Sequence, residues 1–347
     1  MNFIDKIEIK NFKSIRHQKI EGCKRINVFI GEPNVGKSNI LEALGLYSVT
    51  QQINGDYFPL DSICRFNHLS DFYFDKDLQR RIEVNLNHNF TLSLRNKKQN
   101  AEFEIYVDSL HAPLASPLFT TPIGERNNLM LSSVVDEEFK DSEIYRVKYY
   151  HFNKEIDGYN KKSTSLSIPD GDNLLDILHG NRQLTSEYSE LLNSYNLKLI
   201  ISDSQISVGK ELSDGTLVSF QNNLVSDTLR RLFFYKAAIK TNSEKVLLFE
   251  EPEAHMFPPY VSKFTGDIVY DENKNQFFIA THSPFVLNDL MTNLGKGELA
   301  IYIVSYKKET GETLIHRMND ENQDEAYQFG YDFFMNINQF IPQEAHG

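Results

Sequence analysis

The pattern of apolar and polar positions predicts an α/β protein that opens with a strand, a glycine-rich turn and a helix. Residues 4–9 alternate between apolar and polar side chains, which is typical of a half-buried strand. Residues 25–30 are more continuously apolar and stop at Gly31, which is typical of a buried central strand. From Ser38 to about residue 48 the apolar residues recur at helical spacing. The glycine-rich turn between this second strand and the helix is therefore a candidate functional site.

The middle of the chain combines strand, loop and helix patterns. Its patterns predict, in order, an antiparallel β-region at 81–107, a loop-like stretch at 109–141, a strand at 144–152, two short helices at 173–195 and a hairpin at 206–220. A break near Gly180 separates the two helices, and Asp214-Gly215 has the composition of a hairpin turn.

From Ser226 onward the pattern of apolar and polar residues changes and predicts alternating helices and strands. Residues 246–249 and 277–280 are short apolar runs, each followed by a loop and a helical pattern. This order predicts a parallel α/β sheet. We therefore expect four segments: an N-terminal lobe at 1–108, an inserted lid or arm region at 109–222, a C-terminal lobe at 223–310 and a C-terminal segment at 311–347.

Composition places the chain among ordinary folded proteins. It has 347 residues, 40% of them hydrophobic and 24% charged, which argues against disorder and fibrous repeats. Its two cysteines, Cys23 and Cys64, cannot build a disulfide framework, and we find no membrane-spanning run or signal peptide. We expect a cytoplasmic protein. The net charge of −12 argues against a surface that coats nucleic acid uniformly, although it allows a local basic patch.

Residues 31–38 fit the phosphate-loop (Walker A) pattern G-x-x-x-x-G-K-[ST]. The glycines let backbone N–H groups approach phosphate oxygens, Lys37 reaches the β- and γ-phosphates, and the Ser38 hydroxyl binds Mg²⁺. The positive end of the following helix dipole adds to this attraction. We therefore assign to nucleotide binding Gly31, Glu32, Pro33, Asn34, Val35, Gly36, Lys37, Ser38 and Asn39.

The apolar run 246–249 ends in two carboxylates, Glu250 and Glu251. In nucleotide-binding sheets, the first acid at such a place (Walker B) helps to hold Mg²⁺, and the second can orient the attacking water. We assign Glu250 to the metal, where aspartate is commoner, and Glu251 to catalysis.

Several segments resemble one family. Residues 250–258 (EEPEAHMFP) are similar to the D/E-E-P-E-x-H-x-x-P segment of ABC-type ATPases of the RecF/SMC/OLD group. Residues 281–284 (THSP) resemble the switch-histidine loop of that group, and residues 7–15 and 37–44 resemble its N-terminal pattern. The resemblance implies that His282 contacts the γ-phosphate of ATP and that Lys37, Glu251 and His282 form the catalytic set.

The family also carries a serine signature that opens a helix and faces the γ-phosphate bound by a partner protomer. Residues 212–215 (LSDG) look more like that signature than residues 225–228 (VSDT) do. Spacing favours Ser226, which lies 24 residues before Glu250, because the family's signature helix leads into the acidic strand. Ser213 lies 37 residues before Glu250, in the predicted hairpin turn. The signature glycine is missing at Ser226. Arg230 or Arg231 could supply charge in its place, although we expect both to be plain surface residues.

The resemblance implies an ABC-type P-loop ATPase head with an antiparallel β-subdomain and an inserted lid or arm region. The expected cofactors are ATP and Mg²⁺. The expected assembly is a head-to-tail homodimer, or a higher homo-oligomer, that ATP closes and hydrolysis reopens.

OLD nucleases add a C-terminal Toprim nuclease domain, which we do not expect here. The acids Asp320, Glu321, Asp324 and Glu325 lack a strand–acid–strand context, so we interpret them as a solvated segment before a final helix. Stand-alone heads of this kind resemble the ATPase subunits of anti-phage systems such as PARIS and Septu. The resemblance implies a separate effector protein, a nuclease or a toxin.

Two alternatives stay open. One is a RecF-like DNA-repair clamp, for which the candidate basic patches are Arg80-Arg81, Arg95 with Lys97-Lys98, and Lys161-Lys162. The other is an ATP-loaded scaffold that sequesters a toxin or nuclease and turns over slowly. Glu250 in place of aspartate and the glycine-less signature motivate the second alternative.

Overall fold

A computed structural model describes residues 3–51, 58–88, 90–94, 106–107, 112–113, 130–131, 146–153, 163–203, 205–221, 224–295, 297–323 and 333–341. Its strands are Lys6–Phe12 (β1), Ile15–Glu21 (β2), Ile26–Ile30 (β3), Phe58–Pro59 (β4), Ile82–Leu86 (β5), Phe90–Leu94 (β6), Tyr106–Val107 (β7), Ala112–Pro113 (β8), Met130–Leu131 (β9), Val147–Tyr150 (β10), Leu197–Ile201 (β11), Ile206–Glu211 (β12), Leu217–Gln221 (β13), Val246–Glu250 (β14), Gln276–Ala280 (β15), Leu299–Lys307 (β16) and Glu312–Arg317 (β17). Its α-helices are Lys37–Gly45 (α1), Leu174–Gly180 (α2), Arg182–Asn193 (α3), Asp227–Thr241 (α4), Pro258–Val269 (α5) and Pro284–Asn293 (α6). Short 3₁₀ helices cover Leu46–Gln51, Leu60–Ser62, Leu69–Phe72, Phe74–Lys76 and Ile337–Phe340.

The chain divides into two compact units. The first consists of Met1–Tyr149, Lys245–Glu251 and Gln276–Gly347, and the second of Tyr150–Glu244 and Pro252–Asn275. This division differs from the four segments expected from the sequence. The reason is strand pairing, because chain segments from both ends of the sequence share sheets in the first unit.

A six-stranded sheet in the order β10-β14-β15-β3-β16-β17 forms the centre of the first unit. The pairs β14–β15, β15–β3 and β3–β16 are parallel, and β16–β17 is antiparallel. All five residues of β3, of β14 and of β15 are buried, as expected for parallel strands covered on both faces. Aromatic rings add to this core, and Phe29 stacks on Tyr302 with ring centroids 5.2 Å apart. The predicted parallel α/β sheet is confirmed.

A second sheet of the first unit has the order β2-β1-β5-β6-β7-β8, and the pairs within it are antiparallel. Strands β1 and β5 alternate between buried and half-buried residues, which matches the period-two pattern of the sequence. The Tyr47 hydroxyl lies 2.6 Å from the Val84 carbonyl oxygen and accepts the Leu92 N–H at 3.1 Å. This sheet is the predicted antiparallel β-subdomain.

The second unit combines helices with a three-stranded antiparallel sheet, β11-β12-β13. The helices α2 and α3 are separated at Asn181, which caps α3 by accepting the Leu184 N–H. The Asp214-Gly215 turn closes the β12–β13 hairpin, and Gly215 has the left-handed φ of +83° that such a turn needs. The predicted helix pair and hairpin are therefore confirmed.

The described strands that the sequence interpretation missed include β11, β16 and β17. Strand β11 extends the hairpin, and β16 with β17 extends the central sheet next to β3. The apolar run that forms the first half of β16 carried this signal. Most of the predicted loop at 109–141 lies outside the described residues, and the described parts include two-residue strands. Residues 320–323 are helical, while Asp324, Glu325 and the rest of the predicted final helix lie outside the described residues.

None of the helices in the described part of the chain is long and apolar enough to cross a membrane.

Gln276 ties the N-terminal residues to the central sheet. Its side chain is buried at the start of β15. The amide oxygen accepts the N–H groups of Phe3 and Ile4 at 3.1 and 2.8 Å. The amide nitrogen donates to the carbonyl oxygens of Ile4 and Lys24 at 2.7 and 2.9 Å. One buried side chain thus satisfies four backbone groups that lie away from water.

We expect Gln276→Leu to lower the free energy of unfolding by at least about 3 kcal/mol, because it leaves several buried backbone groups without partners. Urea unfolding of the full chain measures this change. Gln79 is exposed, so Gln79→Leu is the matched control and should change stability by less than about 0.5 kcal/mol. Equal losses in the two variants would show that the four hydrogen bonds carry little net stability.

Candidate functional site

Three neighbouring parallel strands end at the same edge of the central sheet, and a predicted motif follows each of them. In the β14–β15 pair Glu250 lies opposite Ala280, and in the β15–β3 pair Ala280 lies opposite Phe29. Because parallel strands share a direction, their carboxyl ends meet at one edge. The structure therefore brings together the phosphate loop after β3, the Glu250-Glu251 pair at the end of β14 and His282 after β15.

The phosphate loop turns directly into α1. Gly36 is the residue before the helix and has a left-handed φ of +100°, which favours glycine. No side chain caps this helix end, so the first backbone N–H groups of α1 have no side-chain acceptor. Of the other assigned residues, Gly31 and Val35 are buried, Glu32, Pro33 and Asn34 are exposed, and Ser38 and Asn39 are half-buried.

Lys37 lies across the loop that precedes it. Its ammonium group donates to the carbonyl oxygens of Gly31 at 3.0 Å and of Glu32 at 2.8 Å. Burial lowers the pKa of Lys37 to about 8, although the carboxylates of Glu251 and Glu250 act in the opposite direction. The chain thus holds a buried cation at the start of a helix, in the position from which it can reach a phosphate.

Strand β17 braces the loop from behind, which sequence reasoning missed. The Thr313 hydroxyl donates to the Val35 carbonyl oxygen at 2.9 Å and lies 2.6 Å from the Ser14 hydroxyl. The Asn39 amide donates to Ser14 at 2.6 Å, so Asn39 joins this brace rather than pointing into the loop. Serine and threonine are common at such positions, and nothing in their spacing could have indicated the contact.

Glu250 is a buried carboxylate with three partners. Arg65 forms an ion pair with its Oε1 atom, and the Tyr149 hydroxyl donates to its Oε2 atom at 2.8 Å. The nearby Ser38 hydroxyl also lowers the pKa of this carboxyl. Burial by itself raises the pKa of Glu250, but the Arg65 charge and these hydrogen bonds outweigh burial and hold that pKa below its ordinary value. Glu250 is therefore ionised at neutral pH.

Glu251 and His282 face each other across the ends of β14 and β15. The Glu251 carboxylate is exposed, and its Oε1 atom lies 3.5 Å from His282 Nε2. The Glu251 backbone has a left-handed φ of +41°, and its N–H donates to the Ala280 carbonyl oxygen at 2.8 Å. Burial and the nearby Lys37 charge lower the pKa of His282, although Glu251 opposes them. A neutral imidazole and an exposed carboxylate thus lie together at this edge.

Of the two signature candidates, Ser226 precedes a helix and Ser213 lies in a turn. Ser226 caps α4 in the second unit, and its hydroxyl accepts the Leu229 N–H at 3.4 Å. A second contact holds the start of α4, because the Thr228 hydroxyl donates to the His255 carbonyl oxygen at 2.8 Å. The predicted helix is confirmed, and the role of Ser226 toward a nucleotide stays a prediction.

The expectation that Arg230 is a surface residue is wrong. Only 6% of Arg230 is exposed, and its guanidinium lies over the ring of Phe152 at 5.6 Å from the centroid. Arg231 is half-buried and lies over the same ring at 4.7 Å. The physical reason is that a guanidinium can be buried against an aromatic face, which a count of charges along the helix does not reveal.

The residues at the strand ends fit a polyphosphate with a divalent cation. The uncapped N-terminus of α1 and the Lys37 ammonium supply hydrogen-bond donors and positive charge. The Ser38 hydroxyl near the start of α1 and the Glu250 carboxylate at the end of β14 are oxygen donors of the kind Mg²⁺ prefers. Among the described residues, no group of three or more His, Cys, Asp or Glu is arranged to hold a metal ion by itself.

Comparison with known proteins agrees with this geometry. The model of a family described as "AAA domain, putative AbiEii toxin, Type IV TA system" matches residues 26–288. A protein of Helicobacter pylori named ATP/GTP phosphatase is 23% identical, and the match covers 90% of this chain and 87% of that protein. The DNA replication and repair protein RecF of Thermoanaerobacter sp. is 32% identical over 99 residues, which is 24% of this chain and 27% of RecF.

Two solved structures share the fold. An Smc head bound to the C-winged helix domain of ScpA has a TM-score of 0.54 at 15% identity, and the match covers 93% of this chain and 100% of that chain. An Smc head with an extended coiled coil, bound to the C-terminal domain of ScpA derived from Pyrococcus furiosus, has a TM-score of 0.55 at 13% identity and covers 94% and 99%. These likenesses confirm the predicted ABC-type head fold.

The pKa of Lys37 leads to a pH prediction. Phosphate charge favours protonated Lys37, so nucleotide binding at pH 8.5 should take up protons, and affinity should fall as the pH rises above about 8. Isothermal titration calorimetry in two buffers of different ionisation enthalpy measures the uptake. The Lys37→Arg variant stays protonated throughout and should lose the buffer dependence. A wild-type binding enthalpy that is the same in both buffers would contradict the prediction.

Proposed function

Since the chain belongs to the AAA domain family matched over residues 26–288 and is an ABC-type P-loop ATPase, we propose that it uses ATP to control a separate effector protein in bacterial anti-phage defence. The observation that carries the nucleotide chemistry is the meeting of the phosphate loop, Glu250-Glu251 and His282 at the ends of three adjacent parallel strands. The defence role is supported by the toxin–antitoxin name of the family and by the resemblance of the sequence to stand-alone heads of defence systems.

The loop residues bind and orient the triphosphate. Lys37 exchanges its two carbonyl partners for phosphate oxygens, and the N–H groups at the start of α1 donate to the same oxygens. Ser38 and Glu250 would hold Mg²⁺, which supplies charge neutralisation of the β- and γ-phosphates when bound.

Glu251 and His282 act at the γ-phosphate. The exposed Glu251 carboxylate orients the attacking water and accepts its proton. The neutral His282 ring, 3.5 Å from that carboxylate, donates a hydrogen bond to the γ-phosphate and senses its loss. The Ala280 carbonyl oxygen accepts the Glu251 N–H at 2.8 Å, so the backbone that carries the carboxylate is held in place.

The proposed assembly is a head-to-tail dimer in which Ser226 of each protomer faces the nucleotide bound by the other. Support comes from the position of Ser226 at the N-terminus of α4, where the helix dipole favours an anion. Residues 226–228 are Ser-Asp-Thr and lack the signature glycine, so the Ser226 hydroxyl and the helix N–H groups carry the contact. A slow-turnover scaffold is a variant of this proposal, and fast steady-state hydrolysis without any partner would argue against it.

We expect Glu251→Gln to lower ATP turnover by about 100-fold or more, because the amide cannot accept the proton from water. Nucleotide binding should persist, and light scattering after gel filtration should show a dimer that accumulates with ATP. Glu309 is exposed in the β16–β17 turn, so Glu309→Gln is the matched control with unchanged turnover. Unchanged turnover in Glu251→Gln would remove this residue from the mechanism.

A RecF-like clamp is the second candidate, and the partial likeness to RecF favours it. Two of its candidate cations have carboxylate partners, because Arg80 pairs with Asp77 at 2.9 Å and Arg81 with Glu83 at 3.4 Å. The other candidate patches, Arg95 with Lys97-Lys98 and Lys161-Lys162, lie outside the described residues.

The two candidate functions differ in whether the protein is expected to bind duplex DNA. With an effector-controlling ATPase, we expect no duplex binding at 50 mM salt with or without an ATP analogue, measured by fluorescence anisotropy of a labelled duplex. Duplex binding that weakens steeply between about 50 and 200 mM salt would favour the clamp, because phosphate contacts release counterions. The neighbouring reading frame is an independent check: a nuclease or toxin supports defence, and replication genes support the clamp.

A further inference from the structure

Both oxygen atoms of the buried Glu250 carboxylate are engaged by side chains that no sequence motif pointed to. Oε1 pairs with the Arg65 guanidinium, and Oε2 accepts the Tyr149 hydroxyl at 2.8 Å. The carboxylate ends β14, and Tyr149 lies on β10, the next strand in the sheet. The distance along the chain between Tyr149 and Glu250 is 101 residues. Tyr149 and Glu250 are therefore brought together by the order of strands in the sheet and not by closeness in the sequence.

The two partners differ in how firmly they are held. The Arg65 side chain is 68% exposed and lies in a segment without regular secondary structure. Tyr149 is 2% exposed. An exposed guanidinium can exchange its contact with the carboxylate for contact with water, whereas a buried hydroxyl has no access to water. Tyr149 is therefore the permanent partner of Glu250, and Arg65 is the exchangeable one.

Tyr149 is fixed at its backbone and at its ring. Its N–H donates to the buried Ser48 hydroxyl at 2.9 Å. Its ring lies against the last residue of α1, where a Cβ on Gly45 would come within 3.3 Å of the ring and 2.7 Å of an Ile63 methyl group. A side chain at position 45 would clash with Ile63 and crowd this ring, so glycine suits the close approach. The hydroxyl therefore reaches Glu250 from one direction.

A second buried carboxylate, Glu42 on α1, has a different ion-pair partner. Its charge is paired with Lys13, whose ammonium also donates to the Arg65 carbonyl oxygen at 2.8 Å. Lys13 thus holds the Arg65 backbone while the Arg65 side chain stays at the surface. Each of the two buried acids has its own cation, and only Glu250 also has the tyrosine.

We propose that Tyr149 is a positioning residue for Glu250: its hydroxyl holds one carboxylate oxygen so that the carboxylate stays turned toward Ser38. This inference rests on the proposed function, in which Ser38 and Glu250 bind the metal ion of the nucleotide. Glutamate has one rotatable bond more than aspartate, the commoner residue at this place, and so more freedom to lose on binding. The hydroxyl of Tyr149 removes that freedom before the metal arrives. Groups that hold a metal ligand in this way change metal affinity by about 10–100-fold when removed.

The test uses Tyr149→Phe, which removes the hydroxyl and keeps the ring. Tyr150→Phe is the matched control, because Tyr150 is equally buried, and its hydroxyl contacts Leu166 and Asn242 instead of Glu250. Both variants are made in the full chain. For each protein we would measure thermal stability, affinity for a non-hydrolysable ATP analogue in EDTA, and Mn²⁺ binding in the presence of that analogue by electron paramagnetic resonance.

We expect Tyr149→Phe to weaken Mn²⁺ binding by about tenfold or more and to leave the affinity in EDTA unchanged. Tyr150→Phe should leave Mn²⁺ binding unchanged, even where it costs stability. Mn²⁺ affinity of Tyr149→Phe within about twofold of wild type would overturn the inference, and so would equal Mn²⁺ losses in the two variants. Wild-type protein that binds the analogue without any dependence on Mn²⁺ would instead overturn the proposed function.

If Tyr149→Phe does not fold, Glu250→Asp addresses the same question. Its shorter side chain draws the carboxylate back from the Tyr149 hydroxyl. We then expect a Mn²⁺ affinity lower than that of wild type, although aspartate is the commoner ligand. Mn²⁺ affinity equal to or higher than that of wild type would show that the tyrosine contact is not what places the carboxylate.

Discussion

The parallel register of β14, β15 and β3 is the constraint on which the site depends. This register places Glu250 opposite Ala280 and Ala280 opposite Phe29, with every residue of the three strands buried. A slip of one residue would move every side chain of the slipped strand to the other face of the sheet. Glu250 would then no longer lie opposite Ala280. Burial of the apolar residues therefore also decides that Glu250 is buried and Glu251 is exposed to water.

The same edge collects buried charges, which are unfavourable unless they are paired. Lys37 is compensated by two loop carbonyl groups, and Glu250 by Arg65, Tyr149 and Ser38. These internal partners are of the kinds that a nucleotide and its cation offer, so binding can replace one set of contacts with another. The lowered pKa of Lys37 shows that its compensation is incomplete. In the proposed function, a phosphate would complete it.

In the second unit, the feature of interest is the N-terminus of α4. Helix α4 starts with the cap Ser226 and contains a buried arginine, Arg230, that packs against Phe152. Deeper in this unit, Lys236 bridges Glu187 and Asp267 at 2.7 and 2.9 Å. These contacts hold the helix start at a defined place within its own unit. They are consistent with a helix N-terminus that serves a binding role, which the proposed dimer would use.

Much of the fold and of the site follows from the sequence alone, because local patterns carry it. The glycine and lysine spacing around Lys37, the acids after the apolar run at 246–249 and the helix break at Asn181 all depend on residues close together in the chain. Tertiary structure alone decided the partners of Glu250. Tyr149 and Thr313 read as ordinary strand residues, and they lie 101 and 278 residues along the chain from the groups they contact. Sheet order and burial bring them there, and since many residue types could occupy a buried strand position, only the folded chain shows which of them donates a hydrogen bond to the site.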